Sequence, residues 1–315
     1  MRNTAGTRLR LIAWGAAIAA LGLGGIATAG ATHALPKARA ATVVNVVAAE
    51  NFYGNVIAQI GGSHVHVTSI ISNPNTDPHS YESSTTDASA VASAQIVVRN
   101  GLGYDSFIDQ LDNASPSPSR VLIDVGQVFG RKTGDNPHQW YDPVTMPRVA
   151  SLVAAQLSRL DPVDKGTFQA NLRAFDASMS VYTSRIAALR KRFAGTPIAV
   201  TEPVFGYATA AVGLTVLTPH SFQLAIQEGN DPSPQDVQTE ENLLTSNRVK
   251  MFAYNQQAVA PITTRLLPLA RRRHIPIIGV YETMPSSKTY QSWMVAEMQA
   301  TDLALSHGVS TETIK

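Results

Sequence analysis

The sequence predicts an α/β protein of two lobes, each built on a mostly parallel sheet, bridged by one long α-helix. Three observations carry this. From Val43 to Val125, short runs rich in valine and isoleucine alternate with helix-sized segments, the pattern of βαβ units. The same alternation restarts at Pro197 and runs to the end of the chain. Between the two lies an apolar seam at Phe168, Leu172, Phe175, Met179, Tyr182, Ile186, Leu189 and Phe193. Its steps alternate four and three, a helical period. At about 1.5 Å per residue, a helix over that seam is roughly 39 Å long. Such a seam suits either a coiled-coil partner or a helix laid along its own protein. Strand–helix patterns on both sides favour the second.

In the first lobe, strands are expected at Val43–Ala48, Val65–Ile71, Ile96–Val98 and Val121–Val125, from their β-branched content and bounding turn residues. Helices are expected at Asn55–Ile60, Ala88–Ala94 and Tyr104–Leu111. Asp142-Pro143 and Asp161-Pro162 read as helix starts, because aspartate caps the N-terminus and proline suits the first helical position. The second lobe gives strands at Pro197–Val200, Thr215–Leu217, Val249–Tyr254 and Ile275–Tyr281. Its helices fall at Val204–Val212, Ser233–Leu244, Ala260–His274 and Tyr290–His307. The domain reading is residues 1–40 as a leader, 41–145 as the first lobe, 146–194 as the helical connection and 195–315 as the second lobe.

The leader reading rests on Arg2, Arg8 and Arg10, the uncharged run Leu11–Ala31 and the small residues of Ala38-Arg39-Ala40, a secretory pattern. An uncleaved anchor is the competing reading. Residues 1–40 hold five basic and no acidic residues, so the chain's 25 Lys and Arg against 23 Asp and Glu become 20 against 23 beyond it. The basic balance thus belongs to the leader, and nucleic acid is not an implied partner. Apolar content of 44% with 15% charged residues is that of a globular protein. The absence of cysteine excludes disulfides and thiolate metal sites.

Candidate metal ligands stand on four loops. His79 lies in Asn73–Glu82, behind the stiff pair Asp77-Pro78. His138 lies just ahead of a helix, and Glu202 and Glu282 each follow a strand. In open α/β sheets ligands bind beyond the carboxyl ends of the strands, so all four could meet between the lobes. Two imidazoles and two carboxylates match the charge of a divalent cation and suit Zn2+ or Mn2+ better than Ca2+ or Mg2+. Each residue also has an ordinary reading: surface or hydrogen-bonding histidines, and glutamates serving a helix start or a polar loop. His64 and His66 alternate on a strand and share one face, which would suit a metal pair, but they are read as edge-strand surface. His220, His274 and His307 are read as structural or exposed.

Glu50-Asn51-Phe52-Tyr53, the Asn73–Glu82 stretch, Asn100-Gly101-Leu102-Gly103-Tyr104-Asp105 and Asn136–Pro143 resemble the zinc/manganese (cluster A-I) solute-binding proteins of ABC transporters. The resemblance runs in the same order from about residue 43 to 305. It implies two α/β lobes joined by a rigid long helix, with one Zn2+ or Mn2+ held in the cleft and delivered to a membrane permease by a monomer. His79 and His138 match the family's first-lobe histidines. Glu202 falls where the family has His or Glu, and glutamate there is similar to the manganese-type arrangement. Glu282 stands where aspartate is usual. Gly126–Asn136 lacks the histidine-rich insertion of many zinc-type members. The missing lipobox cysteine implies a secreted periplasmic or extracellular protein, or one tethered by an uncleaved leader, and not a lipoprotein. A metal-binding receptor without enzymatic activity is therefore expected. The alternatives are a secreted metal-dependent hydrolase, disfavoured by the lack of an HExxH motif, and a metal-stabilised surface adhesin.

Overall fold

The computed structural model describes residues 43–73, 76 and 81–314. The leader and His79 lie outside the described residues. In the first lobe, β1 (Val44–Glu50), β2 (Val65–Ile71), β3 (Ile96–Arg99) and β4 (Val121–Asp124) form a parallel sheet in the order β2-β1-β3-β4. In the second, β5 (Pro197–Val200), β6 (Thr215–Val216), β7 (Phe252–Asn255) and β8 (Ile277–Val280) repeat that order as β6-β5-β7-β8, again parallel. In both sheets the order reverses beside the lobe's first strand. That places a switch point between β1 and β3, and another between β5 and β7.

Helices α1 (Asn51–Gly61), α2 (Thr85–Ser93), α3 (Phe107–Ala114) and the short α4 (Val125–Val128) complete the first lobe. The second carries α8 (Gly206–Val212), α9 (His220–Gln227), α10 (Pro234–Thr245), α11 (Pro261–Arg272) and α12 (Tyr290–His307). Two expected starts shift. Helix α5 (Thr145–Leu160) begins after Pro143, with Asp142 Oδ1 accepting from the Val144 amide. Asp161 does not open the next helix; its N–H closes α5 on the Leu157 carbonyl at 2.8 Å. The next helix starts after Asp164.

The seam between the lobes falls in α6 (Lys165–Ser178) and α7 (Ser180–Phe193), which meet at Met179. Met179 keeps helical angles, φ −70° and ψ −15°. Its N–H bonds to Phe175 at 3.2 Å and its carbonyl takes the Thr183 amide at 3.1 Å, so the ladder carries across the junction. Phe168, Phe175, Met179, Tyr182, Ile186 and Leu189 are buried in the chain's own core, which sets the coiled-coil reading aside.

Each sheet is covered on both faces, as near-continuous apolar strands require. On β1, Val44, Val46 and Ala48 face one core cluster while Val47 and Ala49 face another. On β8, Ile278 and Val280 face the first cluster and Ile277 a third. The first cluster is common to both lobes and to α5, α6, α7 and α12. Its middle is aromatic, with Phe52 against Trp140 (ring centroids 4.6 Å apart) and Tyr141 between Phe205 (5.3 Å) and Trp293 (5.6 Å).

Candidate metal centre

The two switch points face a shared set of polar side chains. Glu202 follows β5, Asn255 ends β7 and Glu282 follows β8. All three are buried, and so is His138, on the loop that enters the 3₁₀ turn Gln139–Tyr141.

His138 is held from behind. Asn136 Nδ2 donates to the Pro203 carbonyl at 2.8 Å, which fixes Asn136 Oδ1 as an acceptor. That oxygen takes the His138 backbone N–H at 3.0 Å and sits 2.7 Å from Nδ1. Nδ1 therefore carries the proton, and the imidazole lone pair is on Nε2. Nε2 lies 3.6 Å from Glu282 Oε2. The same Glu282 oxygen accepts from the Tyr104 hydroxyl at 3.0 Å. Asn255 Nδ2 donates to Glu282 Oε1 at 2.7 Å and also to Glu202 Oε1, so one amide draws the two carboxylates together. Gln257 Oε1 accepts the amides of Glu282 and Thr283 at 2.5 and 2.8 Å and fixes the loop after β8.

The loop after β3 supports His138 from the first lobe. Asn100 Nδ2 donates to the Pro137 carbonyl at 2.9 Å, and the Asn100 and Gly101 amides both donate to Asp105. Gly101 has φ +78°, and a Cβ there would lie 2.4 Å from Asp124 Oδ1, so this turn needs glycine. Leu102 follows at φ +62°, an uncommon conformation for a branched residue, and the turn delivers Tyr104 to Glu282. Burial pushes the Asp105 carboxyl up to about 7. Buried Glu50, at the end of β1, is raised well above the ordinary range by burial and then by the nearby Asp105 charge. Burial, followed by the Glu282 charge, also raises the Tyr104 hydroxyl well above its usual value.

The structure thus brings His138, Glu202 and Glu282 together. Asn136, Asn255 and Tyr104 were not expected as site residues. Beside them, at the lobe boundary, is a cavity of about 350 Å³ lined by Leu102, Tyr104 and Pro137 of the first lobe and Pro203, His220 and Leu224 of the second. His220, read from the sequence as structural or exposed, is exposed there.

Chemically, two buried carboxylates beside an imidazole of fixed tautomer form a mixed N/O donor set of the kind that holds Zn2+ or Mn2+.

Among known proteins, the chain is 23% identical over 253 residues to the metal ABC transporter substrate-binding lipoprotein ScbA of Streptococcus cristatus, covering 74% of this chain and 78% of that one. It is 26% identical over 223 residues to the manganese-binding lipoprotein MntA of Bacillus subtilis strain 168, covering 66% and 69%. The fold matches a crystal structure of ZnuA with a TM-score of 0.68 at 21% identity, over 83% of this chain and 99% of that one. The lipoprotein names correct one expectation: the absence of cysteine was read as meaning no lipid anchor, and relatives named as lipoproteins overturn that reading. An extracytoplasmic position is consistent with those names. The family model described as zinc-uptake complex component A, periplasmic, matches residues 46–302, and the chain belongs to this ZnuA family.

Proposed function

We propose that this protein is an extracytoplasmic receptor that captures one Zn2+ or Mn2+ between its lobes and delivers it, as a monomer, to an ABC permease. His138, Glu202 and Glu282 are its described ligands, and His79, outside the described residues, is the fourth. The reading rests most on one observation. Loops from both lobes converge their metal-type donors in a buried space, where two like-charged carboxylates need a cation to be stable. The names of MntA and of the ZnuA family, manganese and zinc respectively, support the choice of ions. Asn255 ties both carboxylates to one amide. That positions them as ligands and argues against one acting as a mobile general base, so we read a carrier and not a hydrolase.

The test is a titration of the metal-stripped chain with Zn2+ and Mn2+, separately and in competition. One equivalent should bind between the lobes, with an affinity that falls at least a hundredfold in His138→Ala and His79→Ala. Unchanged affinity in both variants would overturn the ligand set. Metal-dependent turnover of an ester or peptide substrate would overturn the receptor reading.

A further inference from the structure

At the opposite edge of the first sheet, three donor side chains converge from three separate elements. His64 ends the turn that leads into β2, Asp161 closes α5 and Asp164 precedes α6. One ligand atom from each lies within 4.8 Å of the other two. This edge holds the amino-terminal ends of the strands, whereas His138, Glu202 and Glu282 lie beyond carboxyl ends. The cluster is therefore separate from the inter-lobe centre.

Two details separate it from an ordinary ion pair. His64 Nδ1 is 3.1 Å from Asp164 Oδ2, yet the buried Nδ1 is not aligned for a hydrogen bond with it or with any other described group. Donors to one tetrahedral metal at about 2.0–2.1 Å stand roughly 3.3 Å apart and point to a common centre, not at each other. Asp161 is only 7% exposed, and its carboxylate makes no hydrogen bond or ion pair among the described residues. Its carboxylate lies within 4.8 Å of the His64 and Asp164 donors, where a cation would serve all three. The His64 ring is held edge-on to Phe168 of α6, centroids 5.6 Å apart. Asn171 of α6 donates to the Ile60 carbonyl of α1 at 2.9 Å, so the corner is fixed on the lobe.

We propose that His64, Asp161 and Asp164 form a second divalent-metal site, which clamps the α5–α6 corner to the start of β2. Two carboxylates and a neutral imidazole balance a dication, and the nitrogen donor selects Zn2+ or a similar ion over Ca2+ and Mg2+. His64 and Asp164 are partly exposed, with side chains 18% and 28% accessible, so water completes the coordination.

The probe is Zn2+ added to the metal-stripped full chain, with bound metal counted by elemental analysis after dialysis. Two equivalents are expected for the wild type. Asp161→Asn and His64→Ala should each retain one, His138→Ala should retain one, and His138→Ala combined with Asp161→Asn should retain none. A single equivalent in the wild type that His138→Ala abolishes would overturn this site and leave the inter-lobe reading intact. Two equivalents in both Asp161→Asn and His64→Ala would also overturn it. If His138→Ala does not fold, as judged by circular dichroism, the wild type against the near-isosteric Asp161→Asn decides. Loss of one equivalent there supports the site, and no loss refutes it.

Discussion

His138 owes its tautomer to an amide. Asn136 turns its oxygen to Nδ1 because its nitrogen is committed to the Pro203 carbonyl. Groups that orient a metal-ligating histidine typically change affinity about 10- to 100-fold when removed. Asn136→Ala should therefore weaken metal binding by roughly that factor while leaving the stoichiometry of the inter-lobe centre unchanged. A chelator competition assay on the purified variant checks this, and wild-type affinity would show that the ring needs no such support. The contrast with what the sequence conveyed is physical. His138, Glu202 and Glu282 could be singled out as candidates because imidazole and carboxylate are metal donors and each sits at the end of a strand or ahead of a helix. Asn136 and Asn255 could not, since an amide's role depends on partners far away in the chain. Asn255 reaches Glu202 and Glu282 only after β5, β7 and β8 have paired.

At the level of elements, the strands were the most legible part. β2 spans the same residues as expected, and the β-branched runs at Ile96, Val121 and Pro197 each begin a strand. Helix starts were less so. Aspartate followed by proline marks a cap or a turn equally well, and only the Asp161–Leu157 hydrogen bond decides that Asp161 ends a helix. The α9 helix escaped notice because His220–Gln227 is short and its start, after Pro219, has no side-chain cap. Gly279 in β8 shows a constraint of the same kind. A Cβ there would lie 2.0 Å from the Glu312 carbonyl oxygen, because the chain's end bridges to β8 through Ile278 and Thr311. The Gly279 amide also donates to the Thr311 carbonyl at 2.9 Å. Overpacking of a fitted interior costs about 1–3 kcal/mol. Gly279→Ala should lose stability in that range by denaturant melts and expose the C-terminal segment to exopeptidase. A melt like that of the wild type, with the segment still protected, would mean the contact relaxes freely.

Over the whole molecule, the two lobes share one apolar core instead of touching across a soft hinge. The Trp140, Tyr141 and Trp293 cluster fills its middle. Polar links run alongside, with Tyr290 donating to the Trp140 carbonyl at 2.6 Å and Asn51 exchanging bonds with Met284 at 2.7 and 3.0 Å. Such a joint suits limited lobe motion. It also makes stability sensitive to a single group within it, Glu297 of α12. Tyr141 and Trp293 both donate to Glu297 Oε1, each at 3.1 Å. Burial nevertheless prevails over those two bonds and pushes the carboxyl up to about 8. The sign follows from the folded state holding its proton more tightly than the unfolded chain. Stability from the neutral carboxyl is complete below the ordinary glutamate range and is lost as pH rises through about 8. A shift of that size corresponds to a few kcal/mol, roughly, at full ionisation. Glu240, also raised to about 8 by burial, titrates in the same window, so the wild-type profile alone does not isolate Glu297. Glu297→Gln keeps an acceptor for Tyr141 and Trp293 but cannot ionise. In the metal-free protein its Tm should track the wild type near pH 4, exceed it increasingly as pH rises towards about 8, and hold that margin above it. Parallel profiles for the two proteins across that range would mean that Glu297 ionises in the fold as it does in the unfolded chain, its charge held by the Tyr141 and Trp293 bonds.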